Sequence, residues 1–330
     1  MRVLVTGGAG YIGSHAVKVL REGGHEPIVV DNLYRGHRQA VPSEVPFYQV
    51  DLADGSALRQ ILARHQIECV MHFAALAYVG ESVTEPLTYY ANNTAGAISL
   101  LQAMRQAGVR RLVFSSTCAT YGEPETVPIV ESLPQNPINP YGRSKLFVER
   151  ILADEAQADA EFAYVALRYF NVAGTASDAS LGEDHDPETH LIPSVLFAVL
   201  GRREKIVVFG TDYPTPDGTC IRDYIHVEDL CAAHLVAMEA LQPGERRIYN
   251  LGIGRGYSVR EVIESAQRVT RQAVPVEYGP RRPGDPAVLF ADASKIQAEL
   301  GWRPQYRNID DIVATAWNWF ARHPGGYAEV

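Results

Sequence analysis

The sequence predicts an α/β protein, a doubly wound parallel sheet followed by a smaller mixed α/β region toward the C-terminus. Three observations carry this. An apolar strand, Arg2 to Thr6, runs directly into the glycine turn Gly7-Gly8-Ala9-Gly10-Tyr11-Ile12-Gly13 and then into a helical pattern. Apolar runs and helical patterns then alternate as far as Arg168, as parallel strands with crossover helices require. From Gly201 the alternation gives way to short strands and turns.

Composition narrows the class. The chain has 330 residues, 46% hydrophobic and 21% charged, which is enough to bury a large core and ordinary for a soluble enzyme. The net charge of −9 comes without a basic run, so nucleic acid is not an expected partner. No apolar stretch reaches the ~20 residues that span a bilayer, so no membrane partner is expected. The N-terminus enters the glycine turn without a cleavable leader, so the expected location is cytoplasmic. Cys69, Cys118, Cys220 and Cys231 are widely spaced and form no paired motif, so they are expected to be reduced.

Each element has a reading in order. A strand feeding a glycine turn at a helix N-terminus suits a pyrophosphate, because it offers free amides and the positive end of the helix dipole. This is a Rossmann-type arrangement, with Gly7, Gly10, Tyr11, Ile12 and Gly13 at the cofactor. The second strand, Pro27 to Val30, ends in Asp31. A carboxylate there accepts from the adenosine ribose hydroxyls and repels a 2′-phosphate, so the expected cofactor is NAD. The run Phe47 to Val50 closes on Asp51-Leu52, and a helix follows near Ser56 to His65. The buried run from Cys69 ends in Phe73-Ala74-Ala75, small residues that let a cofactor approach the backbone. A long helix from Pro86 to about Ala107 precedes the strand Arg111 to Phe114, which delivers Ser115-Ser116-Thr117 to the ligand crevice.

Tyr141 and Lys145 are four apart at the start of a helix that continues to about Ala158, so their side chains share one face. A phenol titrates near ~10. An ammonium about 4 Å away at an effective dielectric of about 20 contributes roughly 4 kcal/mol, or about three pKa units, enough to make Tyr141 a base at neutral pH. The chain has only four lysines against twenty-six arginines, so a lysine at 145 stands against its compositional preference. Residues 174–188 read as a long connection, where Glu183, Asp184, His185, Asp186 and His190 are expected to lie on a flexible loop and to bind no metal. Helices are predicted over 227–241, 258–270 and 309–321. The expected division is a cofactor domain over 1–170, with 223–250 returning to it, and a substrate domain over 171–222 and 251–330.

Four stretches together carry a resemblance: Thr6 to Gly13, the Tyr141/Lys145 pair, Arg168-Tyr169-Phe170-Asn171, and Arg222-Asp223-Tyr224-Ile225-His226-Val227. The chain resembles the extended short-chain dehydrogenase/reductases, in their UDP-sugar 4-epimerase branch, from Met1 to about Gly326. The resemblance implies that NAD is held by the glycine turn with Asp31, Asn32, Asp51, Leu52, Phe73, Ala74, Ala75, Asn92, Ser115, Tyr141, Lys145 and Phe170. It places a UDP-sugar against Thr117, Tyr141, Asn171, His190, Leu191, Val208, Phe209, Arg222, Arg282, Asp285 and Leu289. Thr117, Tyr141 and Lys145 are the implied catalytic residues. Ala77 stands where the family often has Lys, and His190 where it often has Asn.

The implied reaction interconverts UDP-glucose and UDP-galactose through a 4-keto sugar. Leucine at 289, where relatives that exclude N-acetylated sugars carry Tyr, leaves room for an acetamido group, and a UDP-pentose also fits the sequence. Dehydratases of the family place an acid after the active-site Ser/Thr, whereas Cys118, Ala119 and Thr120 follow here. A non-catalytic nucleotide sensor would have no need of Thr117, Tyr141 and Lys145. The resemblance further implies a homodimer packed through the helices near 86–107 and 140–158.

Overall fold

The computed structural model describes residues 1–282 and 285–329; Pro283 and Gly284, in the stretch the sequence assigns to the sugar pocket, and Val330 lie outside the described residues. The first six strands are β1 (Arg2–Thr6), β2 (Glu26–Asp31), β3 (Phe47–Gln49), β4 (Cys69–His72), β5 (Arg111–Thr117) and β6 (Ala163–Tyr169). A later strand, Arg246–Leu251, pairs in parallel with β6 and completes a seven-stranded parallel sheet. The sheet grows outward from β1 in both directions, so the strand order reverses beside β1, at the carboxyl ends where the glycine turn begins.

Strand alternation assigns the two faces. Val3 and Val5 point to a core shared with the helices Tyr11–Glu22 (α1) and Val227–Ala240. Leu4 between them, with Val70, Leu112 and Phe114, packs against the helices Gly55–Arg64 and Gly96–Ala107 and the helix Pro140–Ala158. Burial on both faces explains why these strands read as continuous apolar runs. A third core, around Val195, Val262, Val313 and Trp319, belongs to the helices Leu191–Val199, Val259–Thr270 and Ile309–Arg322.

The long helix predicted over 86–107 is instead three pieces: a short turn Pro86–Tyr89, a π-helical turn Tyr90–Ala95, and the helix Gly96–Ala107. Gly96 lies against Leu52, where a Cβ would come within 3.2 Å, and this close approach accompanies the change in winding. Periodicity alone missed Val79–Thr84, Leu191–Val199 and Ser294–Leu300. The first and last are too short to show a stripe, and Leu191–Val199 is apolar on every side. Cap chemistry sets the other boundaries. Asn139 accepts from the Gly142 amide ahead of Pro140, and Ser258 and Glu261 form a capping box.

Candidate active site

The glycine turn is built around one close approach. Gly7 has φ +72°, and a Cβ there would lie 2.5 Å from the Ala74 amide nitrogen; one at Gly13 would lie 2.0 Å from the Gly7 carbonyl oxygen. Any side chain would fill the cradle, so the first turn of α1 is left bare behind Gly10, which caps it without a side-chain acceptor. Asp31, at the end of β2, is buried, and its two oxygens accept from the Ala9 amide at 3.0 Å and the Leu33 amide at 2.8 Å. Burial raises its pKa, opposed by those two amides. Asn32 donates to Asp51 at 2.8 Å, tying the ends of β2 and β3. These residues fit a dinucleotide: a cradle for its pyrophosphate and a fixed carboxylate for a ribose.

The other residues predicted at the cofactor occupy several environments. Ala74 follows β4 against the cradle. Phe73 packs 4.8 Å from the His234 ring, and Ser115 bonds the same imidazole at 3.0 Å. Tyr11 donates its hydroxyl to the Gly174 carbonyl, and Ile12 packs on the core. Leu52 is buried in the core, whereas Asn92, on the π-helical turn, donates to Asn93 at 2.9 Å. Ala75 lies in the segment after β4.

At the carboxyl end of β5 the catalytic candidates come together. Thr117, Tyr141 and Lys145 are 6%, 9% and 4% exposed, so all three lie in a desolvated setting. The Thr117 hydroxyl accepts from the Ala119 amide at 3.1 Å and faces Tyr141. The Lys145 ammonium donates to the Ser115 carbonyl at 2.9 Å and lies 5.0 Å from the Phe114 ring centre. Burial dominates both groups: it raises the Tyr141 phenol well above its ordinary value, with Thr117 pulling the other way, and it pushes Lys145 down to about 7 against the pull of Glu149. The sequence leads one to expect a phenolate stabilised by lysine alone; at Tyr141 burial outweighs that help.

In the C-terminal region, Arg222 pairs with Asp285, and Arg282 stacks its guanidinium 3.9 Å from the Phe209 ring centre. Such a ring and fork of donors suit a base and a diphosphate. Asn171 is exposed at the start of Asn171–Ala173, Leu191 opens its helix, and Val208 is buried in the third core. Phe170 is buried with Tyr121, Ile129 and Ala291, and Leu289 and Cys118 pack on the same cluster. Leu289 thus shares a cluster with Cys118, the residue that follows Thr117.

His190 turns elsewhere. Its Nδ1 lies 2.5 Å from Glu183, within a group formed by Glu183, His185, Glu188 and His190 whose ligand atoms all lie within 4.8 Å of one another. Both glutamate side chains are buried, so the expectation of side chains on a flexible loop is corrected.

Two contributors escaped the sequence reading. Glu149 forms a buried pair with Arg168 at 2.5 Å and accepts from Ser116, while Arg168 also donates to Tyr121 at 2.8 Å. This network braces the strand end that carries Thr117, and the i, i+4 spacing of Lys145 and Glu149 was its only signal. Asp223, quoted earlier only within a motif, accepts from the Ile253 and Ala291 amides at 2.9 and 3.1 Å. Burial pushes it up to about 7.

A Rossmann sheet with a glycine cradle and a Thr/Tyr/Lys centre at its carboxyl edge defines a short-chain dehydrogenase/reductase type of enzyme. Within that class the chain belongs to the NAD dependent epimerase/dehydratase family, which it matches over residues 3–252. It is 52% identical, over the whole of both chains, to a UDP-glucose 4-epimerase of Lactobacillus helveticus. It superposes with a TM-score of 0.93 on a UDP-glucose 4-epimerase from Brucella ovis in complex with NAD, at 50% identity and covering 97% of this chain and 98% of that one. A Bifidobacterium longum UDP-glucose 4-epimerase in complex with NAD+ and UDP gives a TM-score of 0.94 at 40% identity, covering 99% of this chain and 100% of that one.

Proposed function

We propose that this chain is an NAD-dependent UDP-hexose 4-epimerase that interconverts UDP-glucose and UDP-galactose. The observation that supports this is the burial of Thr117, at the carboxyl end of β5, together with Tyr141 and Lys145 on the first turns of the helix Pro140–Ala158, in a chain that also holds the glycine cradle and the Arg222/Asp285 and Arg282/Phe209 pairs. Gly7, Gly10, Gly13 and Asp31 would hold NAD, which when bound supplies a hydride acceptor and a positive ring that favours a phenolate nearby. Tyr141 takes the proton of the sugar 4-hydroxyl, and Thr117 orients that hydroxyl. Lys145 donates to the carbonyl of Ser115, two residues before Thr117, which would hold its ammonium at the strand end that carries this centre. Arg222, Arg282 and Phe209 grip the UDP end, so binding energy is concentrated away from the sugar. The 4-keto sugar is then free to turn and present its other face before Tyr141 returns the proton.

The same reading extends to assembly and location. Leu87, Ile98 and Phe147 are 80%, 39% and 40% exposed on the two helical stretches assigned to a dimer, an apolar face that a second copy would cover. Free cysteines fit a cytoplasmic enzyme, and no described helix is long and apolar enough to cross a membrane. Purified protein given UDP-galactose and no added oxidant should form UDP-glucose; failure to do so with cofactor bound would reject the activity. Light scattering at micromolar protein should give twice the chain mass, and a monomeric mass would reject the dimer.

A further inference from the structure

We propose that Glu183, His185, Glu188 and His190 form a closed four-ligand site for a first-row divalent transition ion, with zinc the best match. The four come from one short segment in the order Glu-x-His-x-x-Glu-x-His. Their approaches are 2.5 Å (His190 Nδ1 to Glu183 Oε1), 3.2 Å (His185 Nδ1 to Glu183 Oε1) and 3.7 Å (His185 Nδ1 to Glu188 Oε2), while Glu188 Oε1, 3.4 Å from His190 Nδ1, accepts from the His190 amide. A tetrahedral zinc with bonds of about 2.0–2.1 Å sets its ligands about 3.3 Å apart, and these distances bracket that value. Two imidazoles and two carboxylates suit zinc and its neighbours better than magnesium or calcium, which prefer all-oxygen shells.

A second observation points the same way. The Glu188 side chain is 3% exposed, yet its Oε2 has no hydrogen-bond partner among the described residues. His185 Nδ1 is likewise buried and unbonded, although Glu183 is 3.2 Å away, so it is misaligned for a direct hydrogen bond. Two buried carboxylates need two positive charges, supplied either by one divalent ion or by two imidazolium ions. The misaligned Nδ1 and orphaned Oε2 favour the ion, because a central ion uses both atoms and direct ion pairs leave both unmade.

The site has a place in the architecture. The His185 ring makes edge contacts with Tyr11, on the glycine turn, and with Tyr78, whose hydroxyl donates to the Pro187 carbonyl at 3.0 Å. His190 directly precedes the helix that opens with Leu191. With four protein ligands there is no open position for substrate, so the ion is structural and clamps the loop ahead of that helix onto the cofactor turn.

The test uses the full-length protein without a histidine tag. After dialysis against zinc and desalting, elemental analysis should find about one zinc per chain, and His185→Gln and Glu188→Gln should each lose most of it. Cobalt in place of zinc should give wild type the intense visible bands of a tetrahedral ion. Zinc, and not magnesium, should raise the melting temperature of wild type. If the variants fail to fold, the wild-type stoichiometry and cobalt spectrum decide alone. Zinc no higher than in the variants, or a weak octahedral cobalt spectrum, overturns the site and leaves a pair of imidazolium–carboxylate contacts.

Discussion

Lys145→Met tests the electrostatics of the centre through stability. Burial moves the Lys145 ammonium from 10.5 to about 7. At about 1.4 kcal/mol per pH unit, this corresponds to about 5 kcal/mol. The folded pKa lies below the unfolded one, so the unfolded chain holds more protons between pH 7 and 10.5, and stability rises with pH across that window. Below pH 7 both forms are charged and the folded state bears the whole cost. Methionine fills similar space and removes the titration, but it gives up the bond to the Ser115 carbonyl, about 1 kcal/mol. The variant should therefore be more stable than wild type by about 2–4 kcal/mol at pH 6.5, and the gain should vanish by about pH 10. Urea unfolding of both cofactor-stripped proteins across this range gives the difference curve directly. A difference that does not change with pH would refute the buried, readily neutralised lysine.

Three further outcomes follow from the site. Tyr141→Phe should keep the fold and NAD binding while turnover falls about 10²- to 10⁴-fold, since it removes the proton acceptor; near-normal turnover would remove Tyr141 from that role. Asp31→Asn should narrow the preference for NAD over NADP by eliminating the carboxylate that faces a 2′-phosphate, measured by competition binding, and an unchanged ratio would place the discrimination elsewhere. Wild type should accept UDP-N-acetylgalactosamine, and Leu289→Tyr should lose it while keeping UDP-galactose, because the ring would project from the cluster that also holds Cys118. Rejection of the acetylated sugar by wild type would show that Leu289 is not the gate.

Legibility in the sequence followed the physics of each part. The sheet was legible because Val3, Leu4 and Val5 are buried on both faces and the glycine turn can only serve a close approach. Thr117 and Tyr141 were legible because strand ends and helix starts fix direction as well as position. The Lys145 contact was not, since i, i+4 spacing gives proximity along a helix but cannot show that the Ser115 carbonyl competes for the ammonium. The π-helical turn was hidden because Tyr90 to Ala95 has ordinary helical composition. Glu183 was expected on a flexible loop and Glu188 drew no reading, because the burial of both depends on tertiary contacts that no local pattern records.

The central claim is that the sugar is oxidised and reduced at C4 without exchange with solvent. The most direct measurement gives the protein, as purified with its cofactor, UDP-galactose deuterated at C4, and reads the product by NMR and mass spectrometry. UDP-glucose carrying its deuterium at C4 in ordinary water, and no deuterium gained there by unlabelled substrate in D2O, is the predicted result. Loss of the C4 label to solvent, or its retention with no change of configuration, would contradict the account.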